Sequence, residues 1–331
     1  MNPYSPKGKQ RFLYFLNQLE SILQEARLSK NPALYAFESN MRTTLFMLEG
    51  LSRLYEKIHN QKIFSKMNDE FKDLEDHLGT IDYYDAFHKE FAEEEKPDFI
   101  LDYLKKKKEK EIKKLNDKLD KWIAKKSRVA RIIKKLNNVS WLNEKEDSRQ
   151  ILKMYEKALQ NISKNHSSNP VLTDIENDVH EFRRDLRWLS IYPQALRGLI
   201  QLKSETASQD FLKKYQTAEI KESPYNVMPD GSGLQFPIEL DQNYYYALSW
   251  MIAELGKLKD SGLKIIALEE GLRKQFEIKG KNARQLAISI CDPRQSDIPQ
   301  ILNQSQNIIN TFFEEKIPEN LIIRSEDGTE S

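Results

Sequence analysis

The chain has 331 residues with 52 Lys and Arg against 51 Asp and Glu, so its net charge of +1 points to no polyanionic partner except through local clustering. Charged residues reach 31% and glycines number only 11, a balance that suits long, solvent-laced helices better than sheets. The single cysteine, Cys291, excludes an internal disulfide and a multi-thiolate metal site and reads as a small buried residue, and no stretch approaches the ~20 apolar residues of a membrane span.

Helical period then runs through almost every ordered stretch. "RFLYFLNQLESILQEA" puts Phe12, Phe15, Leu16, Leu19 and Ile22 on one stripe, and its surroundings hold no apolar run of signal-peptide length, so the chain reads as cytoplasmic. Asn31 and Pro32 predict the cap and first turn of the next helix. "FSKMNDEFKDLEDHLG" is expected to stop at Gly79, with "TIDYYDAFHKEFAEEE" as a separate helix ending near Pro97. Residues 99–137 predict the longest element, a lysine-rich helix with a seam from Leu101 to Leu136 in steps of three and four. Pro193 is expected to kink or break the pattern that carries "EFRRDLRWLSIYPQAL". Residues 204–242 include the turn-rich "SPYNVMPDGSGLQFPIEL" and predict a long loop or small hairpin insertion. "NYYYALSWMIAELGKL" and "SGLKIIALEEGLRKQFE" return to helix, and "RSEDGTES" is a polar tail. The class is all-α, in two helical halves (1–140 and 141–312) with a tail at 313–331.

The stretch "DVHEFRRDLRWL" raises the functional question. His180, Arg183, Arg184 and Arg187 fall on one side of a helix, while Val179, Phe182, Leu186 and Leu189 fall on another. Like charges at that spacing repel, so acidic side chains or an anionic ligand must compensate them. Arginine suits phosphate, since its planar fork binds two oxygens at once, and His180 adds a donor once a polyanion favours its charged form. The competing reading is a salt-bridge scaffold, with Glu176, Asp178 and Glu181 close by. The pairs Asp73 with His77 and Asp85 with His88 have spacings a metal can use, but without any further signature they read as solvated surface. No phosphate-cradling glycine loop, nucleophile elbow or dinucleotide fingerprint is present, so the chain reads as non-enzymatic and needing no cofactor. The lysine-rich segment 105–135 with Trp122 leaves nucleic acid as a third choice, with no recognition module to support it.

The two halves also echo each other: each has an amphipathic helix with an early arginine, then Leu-Gly, two residues and an Asp-bearing segment. His180, Arg183 and Arg187, followed by Leu255, Gly256, Lys259 and Asp260 in "LGKLKD", resemble the signature of the CHAD family, the conserved histidine α-helical domain. The resemblance implies two helical halves around a basic channel and binding of inorganic polyphosphate or another polyanion. From the residues themselves, Lys259 is expected to follow the Leu-Gly turn close to a helix start whose amides favour an anion, with Asp260 as a first-turn acid. In the first half only Arg42 matches. Ser39 stands where the histidine belongs and Asp82 where a basic residue belongs, so this is a divergent member with half of the cationic lining missing.

Overall fold

Alternating three- and four-residue apolar steps produce helices throughout: among the described residues the chain is 80% helical, with two short strands, an all-α fold. The structure, a computed structural model, describes residues 6–59, 61–124, 127–168, 171–204, 209–276, 281–291 and 297–324. The helices in chain order are α1 (Lys7–Leu28), α2 (Pro32–Glu38), α3 (Met41–Ile58), α4 (Gln61–Glu93), α5 (Asp98–Ile123), α6 (Arg128–Leu136) and α7 (Glu144–Ser168). A π-helical turn, Ile175–His180, leads into α8 (Glu181–Ala195), and the strands are β1 (Ile200–Lys203) and β2 (Ile238–Asp241). Between them lies α9 (Ala218–Lys221), and after β2 come α10 (Gln242–Phe276), α11 (Lys281–Ile290), α12 (Ile298–Glu314) and α13 (Ile317–Asn320).

The chain divides into two compact units, one of residues 1–142 with 263–295, the other of 143–262 with 296–331. The first boundary falls two residues from the expected one, but 263–295 belong with the N-terminal residues, which the reading by halves had placed in the C-terminal half. The expected tail also differs, since Ile317–Asn320 is helical and Ile322 bridges Leu240 in antiparallel fashion; residues 325–331 lie outside the described residues.

In the first unit α3 packs along α4 and α4 along α5, burying Phe12, Leu16, Leu45, Leu48, Phe71, Leu74, Leu115 and Leu119 completely. Asn31 caps α2, its side chain accepting from Leu34 N, with Pro32 in the first turn as expected. The expected single helix over 99–137 is instead α5 and α6. Ser127 caps the second by accepting from Ala130 N, a local alternative to continuing the helix.

Two expected stops are absent. The α4 helix runs through Gly79 and α10 runs through Gly256, so neither glycine ends a helix. Glycine inside a helix costs about 1 kcal/mol relative to alanine, so both need another reason. It is a close approach. A Cβ on Gly79 would sit 2.7 Å from Arg42 Nη2, and one on Gly256 would sit 3.0 Å from Arg183 Nε.

In the second unit α7 packs on α8, and Tyr155, Leu186, Leu189, Tyr245 and Leu248 are fully buried. Pro193 does not break α8 where it stands; the helix continues two residues further, to Ala195. Proline cannot donate to the carbonyl four residues back. That carbonyl, Leu189 O, accepts the Tyr155 hydroxyl at 2.9 Å instead, so no buried acceptor is orphaned. β1 pairs with β2 in parallel from Ile200↔Ile238 to Lys203↔Asp241, so the segment joining them is a crossover and not a hairpin.

Candidate functional site

The arginine stripe is prepared by how its helix begins. Asp174 accepts from the backbone N–H of Glu176 and Asn177, and Asp178 turns back to accept from Thr173 N and Asp174 N. Both carboxylates are thus engaged by amides at the start of the π turn, where a negative charge is also favoured by the helix dipole. Asp178 is therefore drawn away from the arginines that the scaffold reading assigned to it. Glu181 pairs with Arg184 one turn on, which takes that arginine into a local ion pair.

The remaining cations converge with a residue seventy-odd positions away. Arg183 donates from Nε to Ile252 O of α10 at 2.9 Å, and its guanidinium lies over Gly256. Lys259 follows on the same helix, only 15% exposed, with Nζ 2.6 Å from Asp260 Oδ1. Burial and Arg187 lower the pKa of Arg183, with Asp260 opposing them. Because α10 is continuous, Lys259 and Asp260 sit mid-helix: no helix start offers free amides there and Asp260 is not a first-turn acid.

His180 sits among these charges. Its Nδ1 is buried without a hydrogen-bond partner, and the nearest carboxylate oxygen, Glu176 Oε2, is 3.8 Å away, beyond hydrogen-bonding distance. Burial pushes its pKa down to about 4, and Lys259, Arg184, Arg183 and Arg187 add to the shift. The imidazole is therefore neutral at pH 7. Glu176 is pushed up, chiefly by burial, with Lys259 pulling the other way. A half-buried group of cations around one neutral ring can stabilise an anion beside it.

Arg42 belongs to the first unit and has a different environment. Its Nε donates to Glu75 Oε1 at 2.7 Å and its Nη1 to Asp82 Oδ2 at 2.8 Å. The acidic and histidine side chains on α4 are similarly engaged by α5: Asp73 with Lys118, His77 with Glu111, and Asp85 with Lys108. Several of the α5 lysines are thus partners of α4 carboxylates. Among the described residues no group of three or more His, Cys, Asp and Glu is placed to hold a metal. A separate groove of about 730 Å³ in the second unit is lined by Glu156, Asp241, Tyr244 and Glu319 and by Ile322 and Ile323, and does not include the cationic cluster. Cys291 is buried, which raises its thiol pKa.

His180, Arg183, Arg187 and Lys259 are thus the residues that the fold brings together; Arg184 contributes charge while paired, and Arg42 is held elsewhere. Sequence reasoning missed Ile252, whose carbonyl anchors Arg183, and the part played by Glu176 beside His180. The only sequence signal for the anchor was Gly256, four residues after Ile252. Comparison of the chain with family models, curated proteins and solved structures finds no match. No helix among the described residues is long and apolar enough to cross a membrane.

Proposed function

We propose that the second unit binds a phosphate-rich anion, inorganic polyphosphate or a related polyanion, as a divergent CHAD-like module of the cytoplasm. The observation that carries this reading is the convergence of Arg183, Arg187 and Lys259 about His180, whose pKa they all lower, with Arg183 held by a backbone carbonyl and not by a carboxylate. Cations gathered in a half-buried place disfavour one another and are better tolerated with a further counter-charge. An anion supplies one. The test is titration of the whole chain with linear polyphosphate at low and physiological salt. Binding that weakens steeply with added salt, as release of condensed counterions requires, supports the reading. Binding indifferent to salt, or no binding, overturns it.

A second reading, a helical interaction scaffold with the stripe paired internally, is favoured by one contact: Arg183 bridges α8 to the Ile252 carbonyl over Gly256. The two separate by variant. Under the binding reading Arg187→Ala and Lys259→Ala weaken polyphosphate binding by about 1.5–3 kcal/mol each, the worth of a charged hydrogen bond. Under the scaffold reading they lower the melting temperature and leave affinity unchanged. The binding proposed involves no turnover. Hydrolysis of polyphosphate or phosphate esters with Mg²⁺ or Mn²⁺ that vanished in His77→Ala would replace it with an enzymatic reading.

A further inference from the structure

We infer that the outer edge of the small sheet in the second unit, at Leu321–Ile323, takes up an extended peptide segment of a partner protein, one that carries a lysine or arginine side chain. Three observations lead there. The first is the backbone. Asp241 N of β2 donates to Leu321 O at 2.9 Å, and Ile323 N donates to Glu239 O at 3.1 Å, with Ile322 facing Leu240 between the two bonds. The C=O and N–H of a trans peptide point in opposite directions, and no peptide bond here is cis. With Leu321 O turned toward β2, the N–H of Ile322 is turned away from it. With Ile323 N–H turned toward β2, the C=O of Ile322 is turned away as well. Neither group is bonded to a described residue. Since β1 lies on the other side of β2, Leu321–Ile323 is an edge of the sheet, and it presents the one donor and one acceptor that an added strand engages.

The second observation is space. Ile322 is half-exposed, and with Ile323 and Arg324 it borders the groove of about 730 Å³, where Leu159 of α7 and Pro318 of α13 supply apolar surface for a side chain of the added strand. The third is charge. Glu319 is exposed at the groove and pairs with no described residue. The cation nearest to Glu156 is the exposed Arg324, whose Nη2 lies 3.9 Å from Oε1, too far for a hydrogen bond. Asp241 is committed to the start of α10, accepting from Asn243 N and Tyr244 N. Two carboxylates beside one loosely held guanidinium favour a cationic side chain over an anionic one. The sequence that follows Arg324 carries Glu326, Asp327 and Glu330, the sign that this groove disfavours.

The experiment titrates labelled seven-residue peptides with the full chain at low salt, read by fluorescence anisotropy. One peptide alternates lysine with valine, the second has glutamine for each lysine, and the third is the lysine peptide N-methylated at its three central amides. The lysine peptide is expected to bind at least ~10-fold tighter than either of the others, the worth of about one charged hydrogen bond. Glu156→Gln combined with Glu319→Gln should bring the lysine-to-glutamine ratio toward one, with an unchanged melting curve. Hydrogen exchange of the Ile322 amide should slow when the lysine peptide is added to the unaltered protein, a change that attraction to surface charge alone would not produce. Equal binding of the N-methylated peptide would overturn strand addition, and equal binding of the glutamine peptide would overturn the basic partner. Failure of all three to bind overturns both. Dimers in sedimentation, with the Ile322 amide slowed by protein concentration alone, would assign the edge to a second copy and overturn the inference. So would binding that appears only after residues 325–331 are removed, which would assign the edge to the chain's own end. None of these outcomes bears on the anion-binding reading, whose cluster lies outside the groove.

Discussion

Arg42 and Arg183 each lay a guanidinium against a helix glycine, Gly79 and Gly256, and each aims Nε at the position four residues before it. At Glu75 that position offers a carboxylate; at Ile252 it offers a backbone carbonyl. Three residues after the glycine the contrast repeats, with Asp82 in the first unit and Lys259 in the second. The steric solution is the same, and the electrostatic outcome is opposite. A carboxylate cancels the arginine's charge, whereas a carbonyl satisfies one N–H and leaves the charge available. Packing an arginine over a glycine therefore does not by itself make an anion site. The groups at the two flanking helix positions decide that.

Making the second unit resemble the first should break the comparison most severely. Lys259→Asp replaces an attraction with a repulsion and should reduce tripolyphosphate affinity by about 3 kcal/mol or more, roughly 100-fold, measured by calorimetry at low salt. The reverse change, Asp82→Lys, should not create a comparable site, because Glu75 still holds Arg42.

The acid-rich first unit should also show itself in the pH dependence of stability. Glu49 is buried on α3, and burial, then the nearby Glu75, push its carboxyl up to about 7. Its folded pKa lies above its unfolded one, so the protonated form is favoured in the fold. The associated stability is complete below about pH 4.5 and is lost as pH rises through about 7. The loss approaches about 3 kcal/mol on the alkaline side. Glu49→Gln should flatten denaturant midpoints across that window; a variant with the unaltered slope would show that another group titrates there. His180 has the opposite sign. Its folded pKa near 4 lies below the unfolded value, so stability is lost as pH falls from about 6.5 through 4, and His180→Gln should remove that acid-side slope.

Smaller effects sharpen the glycine comparison. Gly79→Ala gains helix propensity, and the Cβ meets Nη2 at the far end of Arg42, whose partly exposed pairs with Glu75 and Asp82 must shift with it, so the net change should stay near zero. At Gly256 the Cβ meets the Nε of Arg183, whose displacement would break its bond to Ile252 O. Gly256→Ala should cost about 1 kcal/mol net in a melt, the lost charged hydrogen bond outweighing the propensity gain. Least of all, Lys106→Ala or Lys107→Ala on α5 should leave tripolyphosphate affinity unchanged within error, since Lys106 is exposed, Lys107 lies over the Tyr103 ring, and solvated surface charges contribute little.

These contrasts mark how far the sequence could be read. Apolar spacing placed the core faces: Val179, Leu186 and Leu189 are buried opposite the stripe, as is the Phe12, Phe15, Leu16 and Leu19 face of α1, though Leu23 takes the buried place expected of Ile22. The stripe itself was legible because its spacing is local. The glycines were misread because a lone glycine after a helical pattern has the same local appearance whether it ends the helix or admits a guanidinium from another one. Only the second arrangement keeps α4 and α10 continuous. Likewise nothing near Asp178 in sequence revealed that its carboxylate would be spent on Thr173 and Asp174 amides, since a π turn was not foreseen. Burial of His180 Nδ1 depends on contacts between distant segments and could not be anticipated from spacing.

The hydroxyl that Tyr155 lends to Leu189 ties the end of α8 to the body of α7. Because Pro193 offers no N–H of its own, the last turn of α8 cannot fray alone without also drawing a buried tyrosine from its acceptor. Local opening at that end is thereby merged with separation of the two helices. In deuterium exchange, the amides around Tyr192 and Ala195 should accordingly exchange in step with those near Tyr155, at the slow rate of a cooperative opening and not at the rapid rate usual for a helix terminus.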